Sequence, residues 1–168
     1  MKHRKRAPKP LTAEDLREQL FYHHETGLFF WRHGSEKRRS TPISTRDNRG
    51  YVKVRVNGRL YSAHRLAWLY MTGKWPLYQI DHIDLDKGNN AWSNLRKATG
   101  SQNQYNRPRT RRNKTGFKGV HFAANGYVAA IRYDGKQYTL GTFATAEEAF
   151  AVYCEAARKH HKSYARTT

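Results

Sequence analysis

Asp81 and His82 set a carboxylate beside an imidazole, and two amides follow at Asn94 and Asn103, 12 and 21 residues after the histidine. Hydrolysis of a phosphodiester needs a base to activate water and positive charge where negative charge develops on the phosphate and the leaving oxygen. Histidine, with an unperturbed pKa of about 6.5, suits the first task. A carboxylate and an amide oxygen are hard ligands, suited to one Mg²⁺ or Mn²⁺ that keeps several waters. Taken singly, each residue also has a structural explanation: Asn94 could cap a turn, and Asn103 could lie on a surface helix.

These groups can meet only if the elements around them turn at the right places. Successive strand side chains point to opposite faces, so Asp81 and His82 can share a site only where a strand ends and turns. Leu77 to Asp81 reads as that strand, 84–93 as an Asp-, Asn- and Gly-rich loop, and 95–98 as a returning strand. Thr99 and Gln102 then form a capping box for a helix that carries Asn103. Upstream, Thr12 to Asp15 starts a helix with Leu16 and Leu20 on its core face, and Leu28 to Trp31 suits a strand. The stretch 34–48 reads as a loop. Period-2 alternation over 51–56 followed by Asn57-Gly58 predicts a hairpin, and 64–71 a helix stopped at Gly73.

Composition points to a polyanionic partner. The chain has 32 Lys and Arg against 13 Asp and Glu, a net charge of +19, and no acidic residue between Asp86 and Asp134. One cysteine, Cys154, excludes an internal disulfide framework and a Cys-rich zinc site. No apolar run approaches the roughly 20 residues that span a bilayer. The expected setting is the cytoplasm, that of the host cell if the chain is phage-encoded, with no membrane partner.

The chain resembles the phage and intron-encoded HNH endonucleases of the ββα-metal superfamily. The resemblance rests on His64-Arg65, Asp81-His82, Asn89-Asn90, Asn94-Leu95-Arg96 and Asn103, within residues 11–107. It implies that His82 is the general base, that Asp81 and Asn103 hold one divalent cation, and that Asn94 orients the histidine. The role of His64 stays open between a packed, a phosphate-contacting and a catalytic histidine.

The C-terminal part reads as three antiparallel strands, with hairpin turns at Asn125-Gly126 and Asp134-Gly135, and then a helix capped by Thr145 and Glu148. Alternation turns Tyr127, Ala129, Ile131 and Tyr133 toward the helix, and Val128, Ala130 and Arg132 outward. Residues 116–164 are similar to the plant ethylene-response-factor (apetala-type) DNA-binding domain, through Lys118-Gly119-Val120, Ala129 to Arg132, Leu140 to Phe143 and Thr145 to Ala149. That likeness implies DNA contacts by Lys118, His121, Arg132 and Thr139, with Lys136 beside them. Arg107, Arg109, Arg111, Arg112 and Lys114 form a basic segment expected to lie on DNA.

The expectation is therefore an α+β chain: a basic arm over 1–10, an HNH module over 11–106, a basic linker over 107–115, and a sheet-and-helix DNA-binding domain over 116–168. Its expected activity is metal-dependent cutting of double-stranded DNA by a monomer of the homing type, tolerant of sequence. The alternative is a noncatalytic DNA-binding regulator on a degenerate nuclease scaffold.

Overall fold

Thr12 accepts from the Asp15 backbone while the Asp15 carboxylate accepts from the Thr12 backbone, and this closed capping box starts helix α1, Ala13–Gln19. Residues 10–167 are described in the computed structural model, so nearly all of the expected basic arm lies outside the described residues. The chain divides into two compact units, 1–97 and 98–168. That division falls upstream of the 106/107 boundary expected from the sequence.

In the first unit, α1 leads into a hairpin of β1, Leu20–His23, and β2, Leu28–Trp31. Leu20 is fully buried as expected, but as the first residue of β1 rather than on the helix. Its extended backbone already ends α1. A short helix α2, Glu36–Ser40, capped by Ser35, interrupts the stretch expected to be a loop. The predicted hairpin forms from β3, Lys53–Val56, and β4, Arg59–Ser62, with Asn57 and Gly58 both at positive φ. Helix α3, Ala63–Thr72, stops at Gly73, whose φ of 73° is the left-handed cap. Leu16, Leu20, Phe29, Val54, Leu66 and Leu69 meet in one core. Full burial of each such side chain is worth roughly 1.5–3 kcal/mol, which fixes α3 and both hairpins as one support. On that support, β5, Gln79–His82, pairs with β6, Leu95–Ala98.

The second unit opens with α4, Gly100–Tyr105, started by the Thr99–Gln102 capping box read from the sequence. Its sheet runs in the order β7, Val120–Ala123, β8, Gly126–Tyr133, and β9, Lys136–Phe143, all antiparallel. Helix α5, Ala146–His161, covers one face of it. Gly119 must be glycine: its φ is +76°, and a Cβ there would lie 2.1 Å from the Tyr153 ring. Tyr127, Ala129, Ile131 and Tyr133 pack toward α5 as predicted. Ala130, expected to face outward, is instead buried. Its methyl is short and shaded from both sides, by Gly119, whose carbonyl accepts from Ala130 N at 2.8 Å, and by Thr139 opposite. Ala129 pairs with Gly141 and Ala130 with Thr139, so Leu140 is an extra residue on β9, and it packs into the core clusters on both sides.

Candidate active site

His82 is the last residue of β5, and the chain turns directly after it, with Leu85 at a φ of 71° and its N–H donating to the His82 carbonyl at 3.1 Å. Asp81 and His82 are each 4% exposed. The carboxylates of Asp84, Asp81 and Asp86 all act electrostatically on the His82 ring. Burial nevertheless lowers the His82 pKa from its ordinary value, against the pull of the Asn90 hydrogen bond and of those three acids. The ring is therefore neutral near pH 7.

The loop after β5 is held by a web of side-chain hydrogen bonds. Asn94 accepts from Asp84 N at 3.0 Å and donates to Asp84 Oδ1 at 2.8 Å and to the Asn89 carbonyl at 2.9 Å. Its own carbonyl accepts from Ile83 N. Asn89 donates to Asp84 Oδ2 at 2.7 Å. Burial works to raise the Asp84 pKa, but the bonds from Asn89, Asn94 and the Asp86 backbone outweigh it and hold the carboxyl below its ordinary value. Asn94 thus fixes the two residues that follow His82, acting on the loop backbone.

Asn90 reaches the imidazole itself. It is 1% exposed, its Nδ2 donates to the Gly88 carbonyl at 3.0 Å, and its Oδ1 lies 3.2 Å from His82 Nε2. Since the amide nitrogen is committed to a carbonyl, the oxygen faces the ring and can only accept. Nε2 therefore carries the hydrogen of the neutral ring, and the Nδ1 lone pair is the basic position.

Asp81 is gripped by Arg96 from β6, whose Nε and Nη2 lie 2.9 and 2.8 Å from the same oxygen, Oδ2. This pair fixes the carboxylate's orientation at the floor of the site. His64, on α3, packs its ring 5.3 Å from Tyr51 and 5.2 Å from His82, centre to centre. Burial first, then the nearby His82, Arg65 and Lys53, push its pKa down to about 3. His64 is thus a ring packed beside His82 and held in its neutral form.

Residues 61–105 match the HNH endonuclease family. The matched region includes Asp81, His82, Asn90, Asn94, Arg96 and Asn103. The chain is also 38% identical, over 93 residues, to a protein of Acanthamoeba polyphaga mimivirus named as an uncharacterized HNH endonuclease. That alignment covers 54% of this chain and 48% of the relative, so the chain spans about half the length of the relative it matches. No solved structure matches. The family match ends at residue 105 and lends no support to the ethylene-response-factor likeness; what the structure supports there is a small three-stranded sheet with one helix.

HNH nucleases generally use a divalent metal, and the donor set of the HNH region can be tested for it. Asp81, in the first unit, offers one carboxylate. Among the described residues no three His, Cys, Asp or Glu side chains cluster to hold a metal. A carboxylate oxygen is a hard donor of the kind that holds a hydrated Mg²⁺ or Mn²⁺.

In the second unit, Asn103 lies on α4. Downstream of α4, the segment 107–115 is tied to its own sheet. Asn113 Nδ2 donates to the carbonyls of Phe117 and Val120 at 2.8 and 3.0 Å, and Thr115 Oγ1 also donates to Val120 O. Arg107, Arg109, Arg111, Arg112, Lys114, His121, Arg132, Lys136 and Thr139 are all exposed. Lys118 differs. Its ammonium donates to the Tyr105 and Arg107 carbonyls, and burial, assisted by Arg166, pulls its pKa down to about 8. Lys118 serves as a clamp on the end of α4. Sequence reasoning missed Asn90 and Arg96 as partners of the central pair, although both stood in the quoted motifs.

Proposed function

We propose that the chain is a divalent-metal-dependent HNH endonuclease that hydrolyses phosphodiester bonds in double-stranded DNA. The observation that carries this reading is the contact of His82 Nε2, at the end of β5, with the Asn90 amide oxygen at 3.2 Å, from which we assign the hydrogen to Nε2 and the basic lone pair to Nδ1. His82 Nδ1 takes the proton of the attacking water. Asn94 holds the backbone of residues 83 and 84 so that the ring stays at the turn, one step back from the direct orienting role that the family pattern implies. Asp81 and Asn103 are assigned to the cation on the order and spacing of the motif, and Arg96 holds Asp81 in place. When bound, the Mg²⁺ or Mn²⁺ supplies positive charge at the leaving 3′-oxygen.

The exposed Arg107, Arg109, Arg111, Arg112 and Lys114, with His121, Arg132, Lys136 and Thr139, are assigned to DNA contact. Most of these contacts carry affinity, because phosphates bear no sequence information, and this agrees with a sequence-tolerant enzyme of the homing type. The ethylene-response-factor likeness supports target binding by the sheet. A monomer acting in a virus- or phage-infected host cytoplasm completes the proposal, and the viral origin of the relative supports the setting.

The noncatalytic regulator is favoured by one observation, the Arg96 pair, which already offsets the Asp81 charge. The two readings part on one experiment. A nuclease nicks or cuts plasmid DNA with Mg²⁺ or Mn²⁺, stops in EDTA, and is crippled by Asp81→Asn; a regulator binds DNA equally with and without metal and tolerates the change.

A further inference from the structure

The geometry that fixes the His82 imidazole does not end inside the HNH region. Asn90 is held from the opposite side by the β1–β2 hairpin, which lies wholly upstream of residues 61–105. Tyr22 is 3% exposed, and its hydroxyl donates to the Asn90 carbonyl at 2.7 Å in a buried bond. Its ring cannot swing away: it stacks on Phe29 at 4.6 Å and meets Tyr70 edge-on at 5.6 Å. The hairpin turn presses on the same backbone. Gly27 has a φ of +74°, and a Cβ there would lie 2.2 Å from both Asn90 C and Ala91 N. A third tie follows one residue on, where Trp92 N donates to the His24 carbonyl at 2.8 Å.

These contacts form a continuous chain from the hairpin to the ring. Tyr22 and Gly27 set the Asn90 backbone, the Asn90 amide is turned by its bond to Gly88, and its oxygen sets which imidazole nitrogen bears hydrogen. Buried side-chain networks of this kind specify one arrangement when all members are satisfied. We propose that the β1–β2 hairpin belongs to the apparatus that sets the His82 imidazole, with Tyr22 and Gly27 as positioning residues that act through Asn90. Its consequence for turnover rests on the nuclease reading above; its consequence for the ring does not.

The test uses the full chain and two readouts. The first is the imidazole ¹⁵N spectrum, with the His82 signals identified by their loss in His82→Ala. The wild type is expected to show the Nε2–H form. Asn90→Ala and Tyr22→Phe are expected to shift the ring toward a mixture with the Nδ1–H form, Tyr22→Phe keeping the ring packing and so the fold. The second readout is single-turnover cutting beside DNA affinity. Asn90→Ala lowers the rate about 10- to 100-fold, Tyr22→Phe and Gly27→Ala lower it in the same direction, and Kd for duplex DNA stays unchanged. Spectra and rates that match the wild type in both Tyr22→Phe and Gly27→Ala overturn the proposal, whatever Asn90→Ala does. If the wild type does not cut DNA but the spectra change as expected, the nuclease reading fails and the brace on His82 stands.

Discussion

His64 provides a sharp test of the buried histidine cluster through the pH dependence of stability. Its pKa is pushed down to about 3 in the fold by burial first and by neighbouring positive charge second, against about 6.5 in an unfolded chain. A group whose folded pKa is lowered contributes stability that is fully present above the unfolded value and is lost as pH falls toward the folded one. Between these values the unfolded chain binds a proton that the folded chain refuses, so stability falls with falling pH. The slope from this one residue approaches 1.36 kcal/mol per pH unit, and integration from pH 7 to pH 5 gives a loss of about 2 kcal/mol. Urea unfolding at pH 7, 6 and 5 measures it, with His64→Phe as the control that keeps a ring against Tyr51 and His82. The variant is expected to lose about 2 kcal/mol less than the wild type over that range, because contributions from His82 and the acids are common to both and largely cancel. Parallel stability curves for the two proteins, or a His64 ring that titrates near pH 6 in NMR spectra, would refute the account of this cluster.

Further outcomes are expected from other side chains. Arg96→Ala leaves the Asp81 charge buried without its guanidinium and destabilises the first unit by about 3–5 kcal/mol, read as a shift in the urea midpoint. Asn94→Ala removes three side-chain bonds that hold residues 84 and 89; it costs about 2–3 kcal/mol and speeds amide exchange across the 83–94 loop while α1 and α5 stay protected. On duplex DNA, Arg109→Ala and Arg112→Ala each reduce the slope of log affinity against log salt by about 0.9. Lys118→Met leaves that slope unchanged and instead speeds amide exchange near the C-terminal end of α4, since its ammonium is spent on the Tyr105 and Arg107 carbonyls.

Local signals carried far in this chain. Capping boxes at Thr12, Thr99 and Thr145, the Asn57-Gly58 turn and the Gly73 stop are interactions among near neighbours, so the elements they bound could be read directly. Partners chosen by tertiary folding could not. Spacing brought Asn94 near His82, yet Asn90 faces the ring, and its backbone is held by Tyr22, 68 residues away in sequence. Arg96 reaches Asp81 only because β5 and β6 pair. Lys118 was placed on DNA by the family likeness, and no local signal announced the two backbone carbonyls that its ammonium meets. Ala130 followed strand alternation, but a methyl on a central strand is too short to escape its neighbours' cover.

His82 is proposed as the base of a metal-dependent DNA-cutting reaction. Single-turnover cutting of duplex DNA by His82→Ala, at saturating enzyme and with Mg²⁺ or Mn²⁺, tests it most directly when DNA binding is measured on the same preparation. Full binding is expected, with the cutting rate lowered by at least about 100-fold. Cutting by His82→Ala at the wild-type rate would contradict it.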